Sequence, residues 1–169
     1  SETITFTATD DDGTTPLADF DDATFTVTPI NDAPVVTNIP NQSVAEGSPF
    51  ATINLNNYVS DVETADANIA WTYSGNTELT VNIVGQVATI SAPNVNWNGS
   101  ETITFTATDD DGTTPLANSD DATFTVSADN DPPIVSDIPD QSVAEGSPFA
   151  TINLNNYVSD VETADADIT

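Results

Sequence analysis

Apolar and polar residues alternate along most of the chain. Ile103, Phe105 and Ala107 alternate with Thr102, Thr104, Thr106 and Thr108, and Phe124 and Val126 alternate with Thr123, Thr125 and Ser127. The same period of two runs through Ile53-Asn54-Leu55, through Ile69, Trp71 and Tyr73, and through Leu79, Val81 and Ile83. Side chains two apart share one face of an extended strand, so each segment predicts a strand with one buried and one wet face. The Thr, Val and Ile that fill these segments suit a pleated, half-buried surface. Asn-Gly, Asp-Gly and Ser-Gly pairs and the prolines mark turns between them. No stretch carries a convincing helical period.

A long internal repeat organises these strands. Ser1–Gly13 returns at Ser100–Gly112, and Gln42–Ala67 returns unchanged at Gln141–Ala166, an offset of 99. Of the 70 positions that overlap at this offset, 58 are identical. Residues 1–32 then read as the last strands of one repeat plus a linker. Residues 33–131 read as a complete repeat plus a linker, and 132–169 as the first strands of a third. Seven or so short strands in one repeat predict an all-β fold: tandem Greek-key β-sandwiches of cadherin or immunoglobulin type, arranged end to end. Trp71 is expected in the core on the third strand and Trp97 as a plug before the sixth, with sugar stacking the competing role for each. A few strands without their partner sheet are marginal in water. The two end pieces therefore predict completion by neighbouring repeats of the same chain, or by identical subunits in a fibre.

Charge changes this picture more than any other property. The chain has 28 Asp and Glu and no Lys, Arg or His, a formal net charge of −28. Without cationic side chains it cannot neutralise phosphates, which excludes nucleic acid, and an anionic membrane surface would repel it. No apolar run approaches spanning length, so direct membrane insertion is not expected. Without His or Cys, Ser-His and Cys-His catalysis, thiol redox and zinc sites drop out. The remaining ligands are hard oxygens, a set that suits calcium. The repeat from Ile30 to Ala128 holds twelve acids, nearly all in predicted turns or at strand ends. In a sandwich those turns gather at the poles, where like charges need a cation among them.

Several of these acids fall in an order that resembles cadherin repeats and the cadherin-like or immunoglobulin-like tandem repeats of large bacterial and archaeal surface proteins. Asp129-Asn130-Asp131-Pro132-Pro133, and more weakly Ile30-Asn31-Asp32-Ala33-Pro34, resemble the cadherin linker. Val44-Ala45-Glu46-Gly47 resembles the Glu element of the first strand. Asp61-Val62-Glu63, followed by Asp66, sits where cadherins carry Asp-x-Asp, and Ala107-Thr108-Asp109 resembles their Ala-x-Asp. The resemblance implies two calcium junctions. The first would join Asn31 and Asp32 to Asp61, Glu63 and Asp109. The second would join Glu46 and Glu101 to Asp129, Asn130 and Asp131, closed by Asp160 and Glu162. Asp66, Asp111 and Glu145, the copy of Glu46, complete the candidate metal ligands. Glu101 is a loose substitute for the Asp-Arg-Glu element of animal cadherins. Each of these acids also has an ordinary role in turns and linkers. Asp120 and Asp121 are expected to be solvated, and Glu78 to be a plain surface residue.

The function these readings imply is structural: a calcium-stiffened extracellular rod or fibre segment, as in the shaft of a cell-surface adhesin. The alternative is a calcium-dependent adhesive or carbohydrate-binding module. An enzyme is not expected, because a small repeated sandwich offers carboxylates but no cleft signal.

Overall fold

A computed structural model describes residues 1–11, 13–110 and 112–168. The chain divides into two compact units, Ser1–Asp32 and Ala33–Thr169. The first is an antiparallel hairpin of β1 (Glu2–Thr9) and β2 (Ala18–Phe25), in register from Glu2↔Phe25 to Thr9↔Ala18. On one face Thr3 and Thr24 share a hydroxyl contact of 3.1 Å, and Thr5 donates to Asp22 at 2.7 Å.

The second unit contains the sandwich. Its strands are β3 (Val35–Val36), β4 (Gln42–Ala45), β5 (Ile53–Asn54), β6 (Val59–Ser60), β7 (Ala70–Ser74), β8 (Thr80–Val84), β9 (Val87–Ser91), β10 (Gly99–Thr108) and β11 (Ala117–Ser127). One sheet runs β4-β11-β10-β7 and a facing sheet runs β5-β9-β8. The opening segment changes partners: β3 pairs antiparallel with β6 in a separate two-stranded sheet, and β4 pairs parallel with β11 in the larger one. This crossover closes an immunoglobulin-like sandwich.

The alternation read from sequence sets the core. Ile103, Phe105, Ala122 and Phe124 are fully buried and cluster with Val81, Ala88 and Ile90 of the facing sheet, while buried Ala107 clusters with Val59 and Ile69. Phe124 stacks edge-to-face on Phe50 at 5.3 Å and on Phe105 at 6.4 Å. Each such side chain contributes about 1.5–3 kcal/mol relative to exposure. The intervening threonines face outward and bridge strands, as in Thr102–Thr123 at 2.9 Å and Thr104–Asp121 at 2.7 Å.

Three expectations change. Tyr73 is 41% exposed, because its strand is the edge of the four-stranded sheet. Trp71 is half-buried, packing against two apolar clusters instead of filling one. Asp120 is not simply solvated: it is half-buried and accepts the Ile39 amide at 2.7 Å, tying the opening segment to β11.

After the sandwich, Ile134–Val135 (β12) pairs with Val158–Ser159 (β13) as β3 pairs with β6. Three-residue 3-10 turns at Leu55–Asn57 and Asp66–Asn68 recur at Leu154–Asn156 and Asp165–Asp167.

Candidate metal centre

The parallel pairing of β4 with β11 determines what lies at one pole. Val44 faces Val126 and Ala45 faces Ser127. The Glu46 amide then donates to the Ser127 carbonyl at 2.9 Å. Glu46 therefore stands beside the point where the chain leaves β11 for the linker 128–133. Its Oε2 accepts the Asp129 amide at 3.2 Å. Asp129 in turn accepts the Asn130 amide at 3.1 Å, and the Asn130 side chain donates to the Asp131 carbonyl at 3.2 Å.

From the far side of the linker, Asp160 makes a tight turn. Its Oδ1 accepts the amides of Glu162 at 3.0 Å and Thr163 at 2.7 Å. That turn directs Glu162 back to the linker, where it accepts the Asp131 amide at 3.2 Å. One carboxylate oxygen from each of Glu46, Asp131 and Glu162 lies within 4.8 Å of the others. Asp131 and Asp160 also line a cavity of about 340 Å³ with Pro132, Ile134 and Val161.

These three carboxylates have no Lys, Arg or His to answer them anywhere in the chain. Glu46 Oε1 is buried and has no hydrogen-bond partner among the described residues. A buried carboxylate oxygen left unanswered is costly unless a cation reaches it. Calcium takes oxygens at about 2.3–2.6 Å, so ligands on opposite sides of it stand roughly 5 Å apart. The three-carboxylate span fits that sphere, and the donor set of hard oxygens fits the ion. Glu46, Asp131 and Glu162 would hold it.

The other candidates divide by position. Asp129, Asn130 and Asp160 shape this site through backbone hydrogen bonds. Glu101 does not join it. Its carboxylate accepts the amides of Thr77 at 2.9 Å, Glu78 at 2.7 Å and Leu79 at 3.2 Å, and also the Thr77 hydroxyl. Partial desolvation opposes its ionisation, but these hydrogen bonds outweigh it and hold the carboxyl below its ordinary value. Glu145 lies exposed in the Ala144–Ser147 turn and outside the three-carboxylate group.

At the opposite pole of the sandwich, Asp61 Oδ1 accepts the amides of Glu63 at 2.9 Å and Thr64 at 2.7 Å, while its Oδ2 is buried with no hydrogen-bond partner among the described residues. Asp109 is only 4% exposed and holds the Leu116 amide with both oxygens at 3.1 Å. Asp66 opens the second 3-10 turn. Asn31 and Asp32 belong to the first unit. Asp111 lies outside the described residues.

Sequence reasoning missed two polar roles. Asp110 accepts from the buried Thr64 hydroxyl at 2.9 Å and from the Asn68 side-chain Nδ2 at 3.4 Å. Glu78, expected to be plain surface, accepts the indole N–H of Trp97. Both partners lie far away in sequence, beyond the reach of a local motif.

A sequence profile of the bacterial Ig domain matches residues 31–127. The chain belongs to that family, whose members are commonly extracellular or surface-exposed and typically non-catalytic. No curated protein matches it. Among solved structures, the endo-fucoidan hydrolase MfFcnA4 from glycoside hydrolase family 107 is similar, with a TM-score of 0.40 and 20% identity over 73% of this chain. The chain spans 18% of that hydrolase. Among the described residues, no helix is long and apolar enough to cross a membrane.

Proposed function

We propose that the chain is a non-catalytic structural segment of an extracellular rod or fibre, stiffened by calcium bound where the sandwich meets the next repeat. The observation that carries this reading is the convergence of Glu46, Asp131 and Glu162 from three separate segments: the sandwich, the linker and the segment beyond. An ion held there ties the end of one module to the start of the next. The repeat offset of 99 supports a spacer role, since near-identical copies suit a shaft better than a specialised tip. The competing reading, an adhesive or carbohydrate-binding module, would use aromatic faces open to solvent; Trp71 and Trp97 instead pack against the core.

A three-carboxylate site with an exposed flank belongs with extracellular calcium modules, with Kd about 10⁻⁴–10⁻³ M. At calcium about tenfold above Kd, binding adds about 1.4 kcal/mol of stability. Calorimetry of chelator-treated protein should show the melting temperature rising with calcium, and Asp131→Asn should remove most of that rise while the sandwich stays folded. A wild-type melting curve indifferent to calcium would sink the ion claim.

A further inference from the structure

The chain passes into the sandwich through the segment ahead of β4 and leaves it at the end of β11. These two strands are parallel neighbours, with Gln42–Ala45 paired to Phe124–Ser127. Parallel pairing fixes how tension acts on them. A pull on the flanking chain draws β4 toward its own start and β11 toward its own end. The strands are then forced past each other along their length. The bonds of a parallel ladder are evenly spaced, so they stretch together and share the load. The same bonds pulled apart from one end would break in turn.

The pair is reinforced along its whole length. Ahead of β4, the Ile39 amide donates to Asp120 Oδ2 at 2.7 Å, and Asn41 Oδ1 accepts the Thr123 amide at 2.7 Å. Within the pair, the Ser127 hydroxyl donates to the Val44 carbonyl at 3.2 Å. Beyond β4, the Glu46 amide donates to the Ser127 carbonyl at 2.9 Å, and Glu46 Oε2 accepts the Asp129 amide at 3.2 Å. Val44 packs against the buried cluster that holds Phe124 and Val126, which shields one side of the ladder from water. On its other side β11 is held by β10, in register from Gly99↔Val126 to Thr108↔Ala117. β4 ends the sheet and has β11 as its one partner there, so it is the strand that sliding would free.

We propose that this pair is a tension clamp: β4 and β11, with Ile39, Asn41 and Glu46 bonded to their partners across the gap, keep the sandwich closed against force drawn along the chain. The function is mechanical resistance. It deepens the rod reading above and rests on it for the source of the load. It does not rest on the ion, because every bond of the clamp joins protein groups between Ile39 and Asp129.

The chain has no Cys, so pairs of introduced cysteines fix where force is applied. Single-molecule pulling of the full chain in chelator compares two such pairs. Thr28→Cys/Pro133→Cys forces β4 and β11 past each other. Ser48→Cys/Pro133→Cys pulls on their neighbouring ends and peels the same bonds in turn. At one loading rate the first pair should need at least about twofold more force, because forced unfolding follows the barrier that the pull must cross. Asp120→Ala should lower the force for the first pair and leave the second unchanged, since peeling reaches the Ile39 bond last. Val81→Ala, a buried change outside the clamp, should lower stability in urea and leave the first pair's force unchanged. The comparison of directions needs no change among the bonded groups of the clamp, so it stands even where Asp120→Ala fails to fold. Equal forces in the two directions, or a Val81→Ala chain weakened as much as Asp120→Ala, would overturn the proposal. Loss of the calcium-dependent melting shift with the directional difference intact would count against the ion alone. A melting shift without the directional difference would count against the clamp alone.

Discussion

Glu101→Gln separates a structural clip from a metal ligand. In the native chain each Glu101 oxygen accepts two hydrogen bonds, Oε1 from the Thr77 hydroxyl and the Glu78 amide, Oε2 from the amides of Thr77 and Leu79. An amide side chain keeps one acceptor oxygen and turns an N–H toward the other two donors, so two of the four bonds are lost. Hydrogen bonds to a charged acceptor contribute about 1.5–3 kcal/mol each when shielded. This carboxylate is largely open to water, which competes for the same donors, and screening reduces the expected total to about 1–2 kcal/mol. The sign of the pH dependence follows from the lowered pKa. The contribution is fully present above the ordinary glutamate value of 4.5 and is lost as pH falls through the folded-state value. Urea unfolding of wild type and variant should show that gap at pH 7 and a closing gap as acid protonates Glu101. The gap should be the same with calcium and with chelator. A variant as stable as wild type at neutral pH, or a deficit that appears only with calcium, would refute the assignment.

Three further outcomes follow from the fold. Gly75 sits at φ +92°, and a Cβ there would stand 2.6 Å from the Thr102 carbonyl oxygen on the neighbouring strand. Gly75→Ala should therefore cost about 2–4 kcal/mol in urea melts, from backbone strain and overpacking together. Phe124→Ala should destabilise the sandwich by about 3–5 kcal/mol, as expected for a fully buried aromatic side chain. Its copy tests the context: Phe25→Ala, at a site 55% exposed, should change the melting of the sandwich little.

The candidate site was legible in part. Glu46, Asp131 and Glu162 could each be named from local motifs, and the structure brings them together. Glu101 could be named too, but its motif gave no sign of the three successive amides that hold it 22 to 24 residues away. Asp109 shows a similar limit: its motif gave no sign that both its oxygens accept the Leu116 amide.

The internal repeat shows what sequence alone determines, because identical stretches occur in two surroundings. The 3-10 turns at Leu55–Asn57 and Leu154–Asn156 form in both, each begun by an Asn side chain that accepts the amide two residues on. Gln42 and Gln141 each clamp an alanine nine residues ahead in the same way. The turn at Asp61 and its copy at Asp160 also form alike. Their bonds close within ten residues, so local sequence suffices. The strands differ. Gln42–Ala45 and Ile53–Asn54 are strands where β11 and β9 lie beside them, and the same residues at 141–144 and 152–153 are not. The alternation of apolar and polar positions sets which face a strand would bury. Only the tertiary structure decides whether the strand forms and the face is covered, because ladder bonds and apolar burial both require a partner distant in sequence.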